Sequence, residues 1–213
     1  MAYHYLASKF QKRCNTRRKR RIMGKKAKLL WVDLEMTGLD PEKDRIMEVA
    51  AIATDWKFNP VDSMTAVVKV DQKIIKERMV GDFWENNKES YDSLVGQNES
   101  GLPSREVEKK LLEFVAKNFS GTIYLAGNSI HQDRRFIARE WKELDEKLHY
   151  RMLDVSAWKI YFENAMGVFF TKAENHRALD DIEGSIDEFK YYLSHVKKSG
   201  FEGDKNGDGL NGD

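Results

Sequence analysis

Three short acidic signatures in fixed order, carrying four carboxylates, constrain this chain more than any other feature. Asp33-Leu34-Glu35 follows the apolar run Leu29-Leu30-Trp31-Val32. Asp133 closes the stretch Gly127-Asn128-Ser129-Ile130-His131-Gln132-Asp133, and His176 precedes Asp181. Four carboxylates do not gather without cost, because like charges at close range repel and raise each other's pKa. Bound divalent cations remove that cost, and a pair of Mg²⁺ or Mn²⁺ ions held by carboxylates is suited to hydrolysing a phosphodiester. A histidine titrates near neutrality and can take a proton from an attacking water.

The spacing gives these residues geometric content. Asp33 and Glu35 are two apart, so in a strand they share a face, as joint coordination of a metal requires. Thr122-Ile123-Tyr124-Leu125-Ala126 reads as a strand stopping at Gly127-Asn128, which sets Asp133 at the opening of the helix that follows. Ligand sites in open sheets cluster at such strand ends. His176 and Asp181 are five apart, ~140° around a helix, too far to share a face. Asp181 is therefore expected on a helix and His176 in the loop before it.

The rest of the body follows the same reading. Leu29–Val32 is expected as a buried strand delivering Asp33 at its C-terminal end, with Gly38 and Pro41 breaking the chain soon after. Ile46–Thr54 and Ser63–Val70 read as two more strands, and the three suit an antiparallel meander. Ser104 is placed to cap a helix whose apolar face is Val107, Leu111, Leu112 and Val115. A helix through Arg134–Leu144, a strand over Leu148–Val155 and a last long helix from near Arg177 complete the pattern. Strands first, then alternating helices and strands, predict an α/β fold: a mixed sheet with helices on its faces.

Charge divides the chain. Residues 1–32 carry 11 basic residues and no acidic ones, leaving 25 basic against 35 acidic in the remainder, a net of −10. The predicted organisation is a basic extension over 1–27, one domain over 28–198 and a Gly/Asp/Asn-rich tail over 199–213. An acidic body argues against gripping long nucleic acid through phosphates, which calls for a basic face, and favours a small, end-bound substrate. The extension has the Arg/Lys-rich, acid-free composition of an organelle transit peptide. Its run Arg17-Arg18-Lys19-Arg20-Arg21 also fits a nuclear signal, and a plain disordered arm fits as well. Mitochondrial, cytoplasmic and nuclear destinations thus stay open. The one cysteine, Cys14, can form no intrachain disulfide, which fits a reducing compartment. No apolar run approaches the ~20 residues needed to span a bilayer, so no membrane role is expected.

Four segments, taken in order, resemble the oligoribonuclease family, a DEDDh branch of 3′→5′ exonucleases with an RNase H-like fold. They are Trp31–Leu39, Gly127–Phe136, His149–Ser156 and His176–Ile182, within a match from about Leu29 to about Tyr192. The resemblance implies Asp33, Glu35 and Asp181 as metal ligands for two Mg²⁺ or Mn²⁺ ions. It implies Asp133 as the fourth acid, acting partly through water, and His176 as the general base. It further implies Leu39 as an apolar wedge between the last two bases and Trp84 as a stacking platform. Ser129, Arg151 and Ser156 would contact the 5′ phosphate, and Tyr150 would reach across a homodimer interface. The chain departs from the family over Asp82–Leu94, where the His-rich stretch is missing and Phe83 could replace Trp84, and over Ala157–Asn175.

The expected function is degradation of very short RNA, dinucleotides above all, to nucleoside 5′-monophosphates. Two rivals stand beside it. One is a DEDDh exonuclease trimming longer RNA or DNA ends, which the basic arm favours and the serine/arginine cap opposes. The other is a non-catalytic RNA-binding scaffold, which the full set of acidic residues and histidine argues against.

Overall fold

In the computed structural model, which describes residues 27–171 and 178–196, strand β1 (Ala27–Met36) is the middle of a five-stranded sheet ordered β3-β2-β1-β4-β5. β2 (Ile46–Thr54) and β3 (Pro60–Val67) form the antiparallel meander with it. β4 (Phe119–Gly127) and β5 (Leu148–Asp154) add on the other side, parallel to β1. The mixed α/β sheet expected from the sequence is therefore present. Most of the basic extension, all of the tail, and His176 lie outside the described residues.

Alternation along β1 sorts the core into two layers. Leu30, Val32 and Leu34 face one side of the sheet, where α4 (Ser104–Asn118) brings Val107, Leu111 and Val115, and α5 (Ile130–Glu140) brings Phe136 and Ile137. Leu29 and Trp31 face the other side, against Val155 and Phe162 of α7 (Val155–Met166) and Ile182, Ile186 and Phe189 of α8 (Ala178–His195). Leu29, Leu30 and Trp31 are wholly buried; each such side chain contributes about 1.5–3 kcal/mol or more by leaving water. The Trp31 indole, polar at one end, donates to Thr54 Oγ1 at 3.0 Å, the partner a buried tryptophan requires.

Several expectations are corrected. β1 does not end on Asp33: its pairing with β4 stops at Trp31–Ala126, but pairing with β2 continues through Asp33–Ala50 and Glu35–Glu48. The third strand starts and stops three residues early, because Val68 leaves it to bridge Leu102. Ser104 opens α4 without capping it; Pro103 is the cap position, and the Ser104 hydroxyl donates to Glu140 and accepts from the Trp141 indole. The helix expected over Arg134–Leu144 is α5 followed by a short α6 (Lys142–Asp145), broken at the fully buried Trp141. Three helices between β3 and α4 had no sequence expectation: α1 (Gln72–Arg78), α2 (Asp82–Asn86) and α3 (Lys88–Gln97). The last helix is described over Ala178–His195, and its expected start near Arg177 lies outside the described residues.

Candidate metal centre and substrate cleft

The alternation that buries Trp31 toward α8 also carries Asp33 and Glu35 to that side. Asp181 stands in the first turn of α8, one residue before the buried Ile182. A carboxylate there is favoured by the partial positive charge of a helix N-terminus. Asp33, Glu35 and Asp181 are half-buried, and each offers an oxygen within 4.8 Å of the others. Opposite ligands of a cation bound at about 2.1–2.4 Å stand about 4.2–4.8 Å apart, so the three hard oxygen donors fit a divalent metal.

Asp133 reaches the same place by another route. Beyond Trp31, β1 has no β4 partner, and Asp133 Oδ1 accepts the Leu34 N–H at 3.0 Å across that open edge. The side chain is buried, and burial pushes its carboxyl up to about 7; the Leu34 N–H opposes the rise, and the charges of Glu35 and Asp154 add to it. Glu48, directly opposite Glu35 in the register, adds a further acid, whose Oε2 accepts from Gln97 at 2.6 Å. Like charges directly opposite destabilise a strand pair. The whole arrangement favours a cation.

The loop between β1 and β2 carries Leu39, which is 69% exposed. A second buried acid, Asp44, holds this loop. It accepts from the Thr37 hydroxyl, the Asp40 N–H and, through both oxygens, the Arg78 guanidinium. Burial pushes the Asp44 carboxyl up, but those donors, Arg78 foremost, outweigh it and hold the group below the usual range. A Cβ on Gly38 would stand 2.6 Å from Asp44 Oδ2, so only glycine lets the carboxylate sit beneath the loop. Gln132 Nε2 donates to the Leu39 carbonyl at 2.7 Å, tying the loop to α5.

Trp84 lies on α2, half-buried, edge-on to Phe83 and Tyr91. It lines an open cavity of about 490 Å³ with Met79, Val80, Lys88 and Tyr91, whereas the mostly exposed Phe83 does not line it.

Ser129 and Ser156, far apart in sequence, have their hydroxyls 3.0 Å apart. Ser129 has φ +48°, left-handed backbone that a non-glycine residue adopts only when other contacts impose it. Asp154 and Ser156 impose it: the Ser129 N–H is shared between Asp154 Oδ1 at 3.0 Å and Ser156 Oγ at 2.8 Å, and Asp154 also accepts the Ser156 N–H at 3.0 Å. Arg151 and Tyr150 are exposed on β5, with the guanidinium 4.9 Å from the Tyr150 ring centre.

The structure thus gathers Asp33, Glu35 and Asp181, adds Asp133 at their edge, and pairs Ser129 with Ser156. Sequence reasoning missed Asp44, Asp154 and Asn128; Glu48 was visible only as the one charge in an apolar strand.

The RNase T exonuclease family matches residues 30–189. The oligoribonuclease of Thiobacillus denitrificans is 40% identical over 172 residues, covering 78% of this chain and 93% of that one. That of Photorhabdus laumondii is 40% identical over 174 residues, covering 78% and 94%. The chain belongs to the oligoribonuclease family. Family membership agrees with the resemblance carried by the four motifs. Exonuclease I of Methylocaldum szegediense has a TM-score of 0.54 at 17% identity, over 80% of this chain and 41% of its own. E. coli exonuclease I in complex with a 5cy-dT13 oligonucleotide has a TM-score of 0.56 at 13% identity, with 80% and 41% covered. These larger proteins share the fold.

Proposed function

We propose that the protein is a metal-dependent 3′→5′ exoribonuclease that degrades short oligoribonucleotides, especially dinucleotides, to nucleoside 5′-monophosphates. The observation that carries this reading is the convergence of Asp33, Glu35 and Asp181 oxygens within 4.8 Å in a chain of the oligoribonuclease family. The three carboxylates, with Asp133 at their edge, would hold two Mg²⁺ or Mn²⁺ ions. When bound, such ions supply an activated water and neutralise charge on the phosphoryl oxygens and the leaving 3′ oxygen.

The chain's own residues do the rest. Leu39, on a loop fixed by Asp44 and Gln132, separates the last two bases. Trp84 stacks a base, an interaction worth ~1–3 kcal/mol and tolerant of sequence. Ser129 and Ser156 present two hydroxyls, and Arg151 a forked cation, to a 5′ phosphate. His176 takes the proton of the attacking water. A longer chain collides with that end cap, which sets the preference for dinucleotides.

We also place the protein as a homodimer in which Tyr150 of one subunit enters the site of the other. Exposed apolar residues on α7, Ile160 at 65% and Tyr161 at 60%, support that reading. The arm, with its basic run, would direct the chain to mitochondria or the nucleus, the cytoplasm being its location if the arm is inert. Among the described residues no helix is long and apolar enough to cross a membrane.

The test is product formation from a 5′-phosphorylated RNA dinucleotide and from a longer RNA, each with Mg²⁺, Mn²⁺ or EDTA. Metal-dependent monophosphate released fastest from the dinucleotide is expected. Trimming of the longer RNA alone keeps the metal site and removes the cap. Binding without cleavage of either leaves the scaffold reading. His176→Ala is expected to lose turnover while keeping substrate affinity; equal loss of both overturns the base role.

A further inference from the structure

One set of partly buried polar contacts runs between the serine pair and the metal ligands and is used by neither. Asn128, at the end of β4, is its hub. Its Nδ2 donates to Ser185 Oγ and to Glu188 Oε2, both at 3.0 Å. Ser185 and Glu188 are buried in α8. Ser185 Oγ donates in turn to the Asp181 carbonyl at 2.8 Å, and Tyr192 Oη donates to the other Glu188 oxygen at 3.0 Å. On the opposite side, Ser156 Oγ donates to Asn128 Oδ1 at 3.4 Å.

The donors and acceptors form a consistent set. Ser129 Oγ gives its proton to Ser156 Oγ, Ser156 gives its own to Asn128, Asn128 gives two to α8, and Ser185 gives one to Asp181. No hydroxyl donates twice. A serine bonding back to the carbonyl four residues earlier is common in helices. What is particular here is that the same hydroxyl accepts from a residue outside the helix, so the turn bearing Asp181 is pinned to the strand end bearing the serines. The Ser156–Asn128 contact is the longest of the set, so it yields most readily when an anion accepts the Ser156 proton.

We propose that Asn128 is a positioning residue that couples the Ser129/Ser156 pair to the placement of Asp181, so that binding of a 5′ phosphate at one end and of metal at the other support each other. This rests on the function proposed above. Coupling of this kind is reciprocal: weakening the hub loosens both ends together. A merely structural Asn128, present to satisfy buried Glu188, would lower thermal stability and leave both ends at wild-type strength.

The experiment uses the full chain as wild type, Asn128→Ala and Ser185→Ala. Mn²⁺ binding is measured by calorimetry without substrate, and turnover of 5′-phosphorylated and 5′-hydroxyl RNA dinucleotides is measured at saturating Mn²⁺. In Asn128→Ala the Mn²⁺ dissociation constant is expected to rise about tenfold, as for residues that orient metal ligands. The kcat/KM advantage of the 5′-phosphorylated dinucleotide is expected to fall at least about fivefold, the scale of one hydrogen bond. Ser185→Ala cuts the link to Asp181 but keeps the Asn128–Ser156 contact, so it should weaken Mn²⁺ and lower the 5′-phosphate advantage by less than Asn128→Ala does. Wild-type values of both quantities in Asn128→Ala, whatever its melting temperature, overturn the proposal. If Asn128→Ala does not fold, unchanged Mn²⁺ affinity in Ser185→Ala overturns it. A wild type that binds Mn²⁺ but turns over neither dinucleotide defeats the proposed function instead, and the calorimetric comparison still decides whether Asn128 places the ligands.

Discussion

Asp44 and Asp133 are both buried aspartates within reach of β1, and the fold treats them in opposite ways. Asp44 is surrounded by donors: a guanidinium, a hydroxyl and a backbone N–H hold it ionised, below its ordinary pKa. Asp133 accepts the Leu34 N–H, lies near the charges of Glu35 and Asp154, and is pushed up to about 7. Among the described residues the protein provides a cationic counter-charge for the first carboxylate and none for the second. Asp44 shapes a loop; Asp133 borders the carboxylate trio proposed to hold metal. A buried acid does not mark a reactive site by itself; the absence, among the described residues, of a fixed cation beside it does more to do so.

The contrast can be broken at several points. The largest effect belongs to Asp33→Ala, which removes a member of the converging carboxylate trio. Turnover should fall about a thousandfold or more, equivalent to several kcal/mol of transition-state stabilisation, and near-normal release of monophosphate would defeat the assignment of the centre. Asp133→Asn comes next. The amide oxygen can still accept the Leu34 N–H, but the charge is gone, so dinucleotide turnover should drop about 10–100-fold. Its melting temperature without metal at pH 8 should match or exceed wild type, since an ionised side chain is no longer buried there. A fall in melting temperature with full activity would exchange the roles of the two aspartates.

Asp44→Ala should do the reverse. It leaves Gly38, Thr37 and Arg78 around an empty place and should lower the melting temperature by roughly 5 °C or more. Turnover should fall only several-fold, through a loosened Leu39 loop. The smallest effect is on pH dependence in the metal-free protein, where the two groups act with opposite sign. Asp133, raised when folded, favours the native state below about pH 4 and gives that stability up as pH climbs to about 7. Asp44, lowered when folded, contributes above about pH 4 and is lost as acid protonates it. Melts from pH 3 to pH 8 in EDTA should show the upper fall vanish in Asp133→Asn, and Mn²⁺ should restore stability at pH 8 in the wild type alone.

Much of the carboxylate cluster was legible in the sequence because strand alternation is strict. Two carboxylates two residues apart after an apolar run must share a face, and the motif at His176 placed Asp181 on the last helix. Asp44 was invisible in a turn with Gly38 and Pro41, since nothing local says that Arg78, thirty-four residues on, will meet it. The helices over residues 72–97 went unread for a different reason. α2 buries no residue and α3 buries only Leu94, so neither shows the apolar stripe from which a helix is recognised. Asn128 was quoted only as part of a motif, because its partners lie on a helix fifty-seven and sixty residues away.

The paired run of β1 and β2 from Leu29–Thr54 to Glu35–Glu48 bears on how this sequence can change over generations. Replacing one apolar residue by another before Asp33 alters packing by degrees. Inserting or deleting a single residue there inverts the alternation, turning Asp33 and Glu35 toward α4 and α5 and away from Asp181. Variation in length within that segment should therefore be purged far more severely than variation in composition, and a library of single-codon deletions scored for dinucleotide turnover would show a sharp gap over residues 29–35.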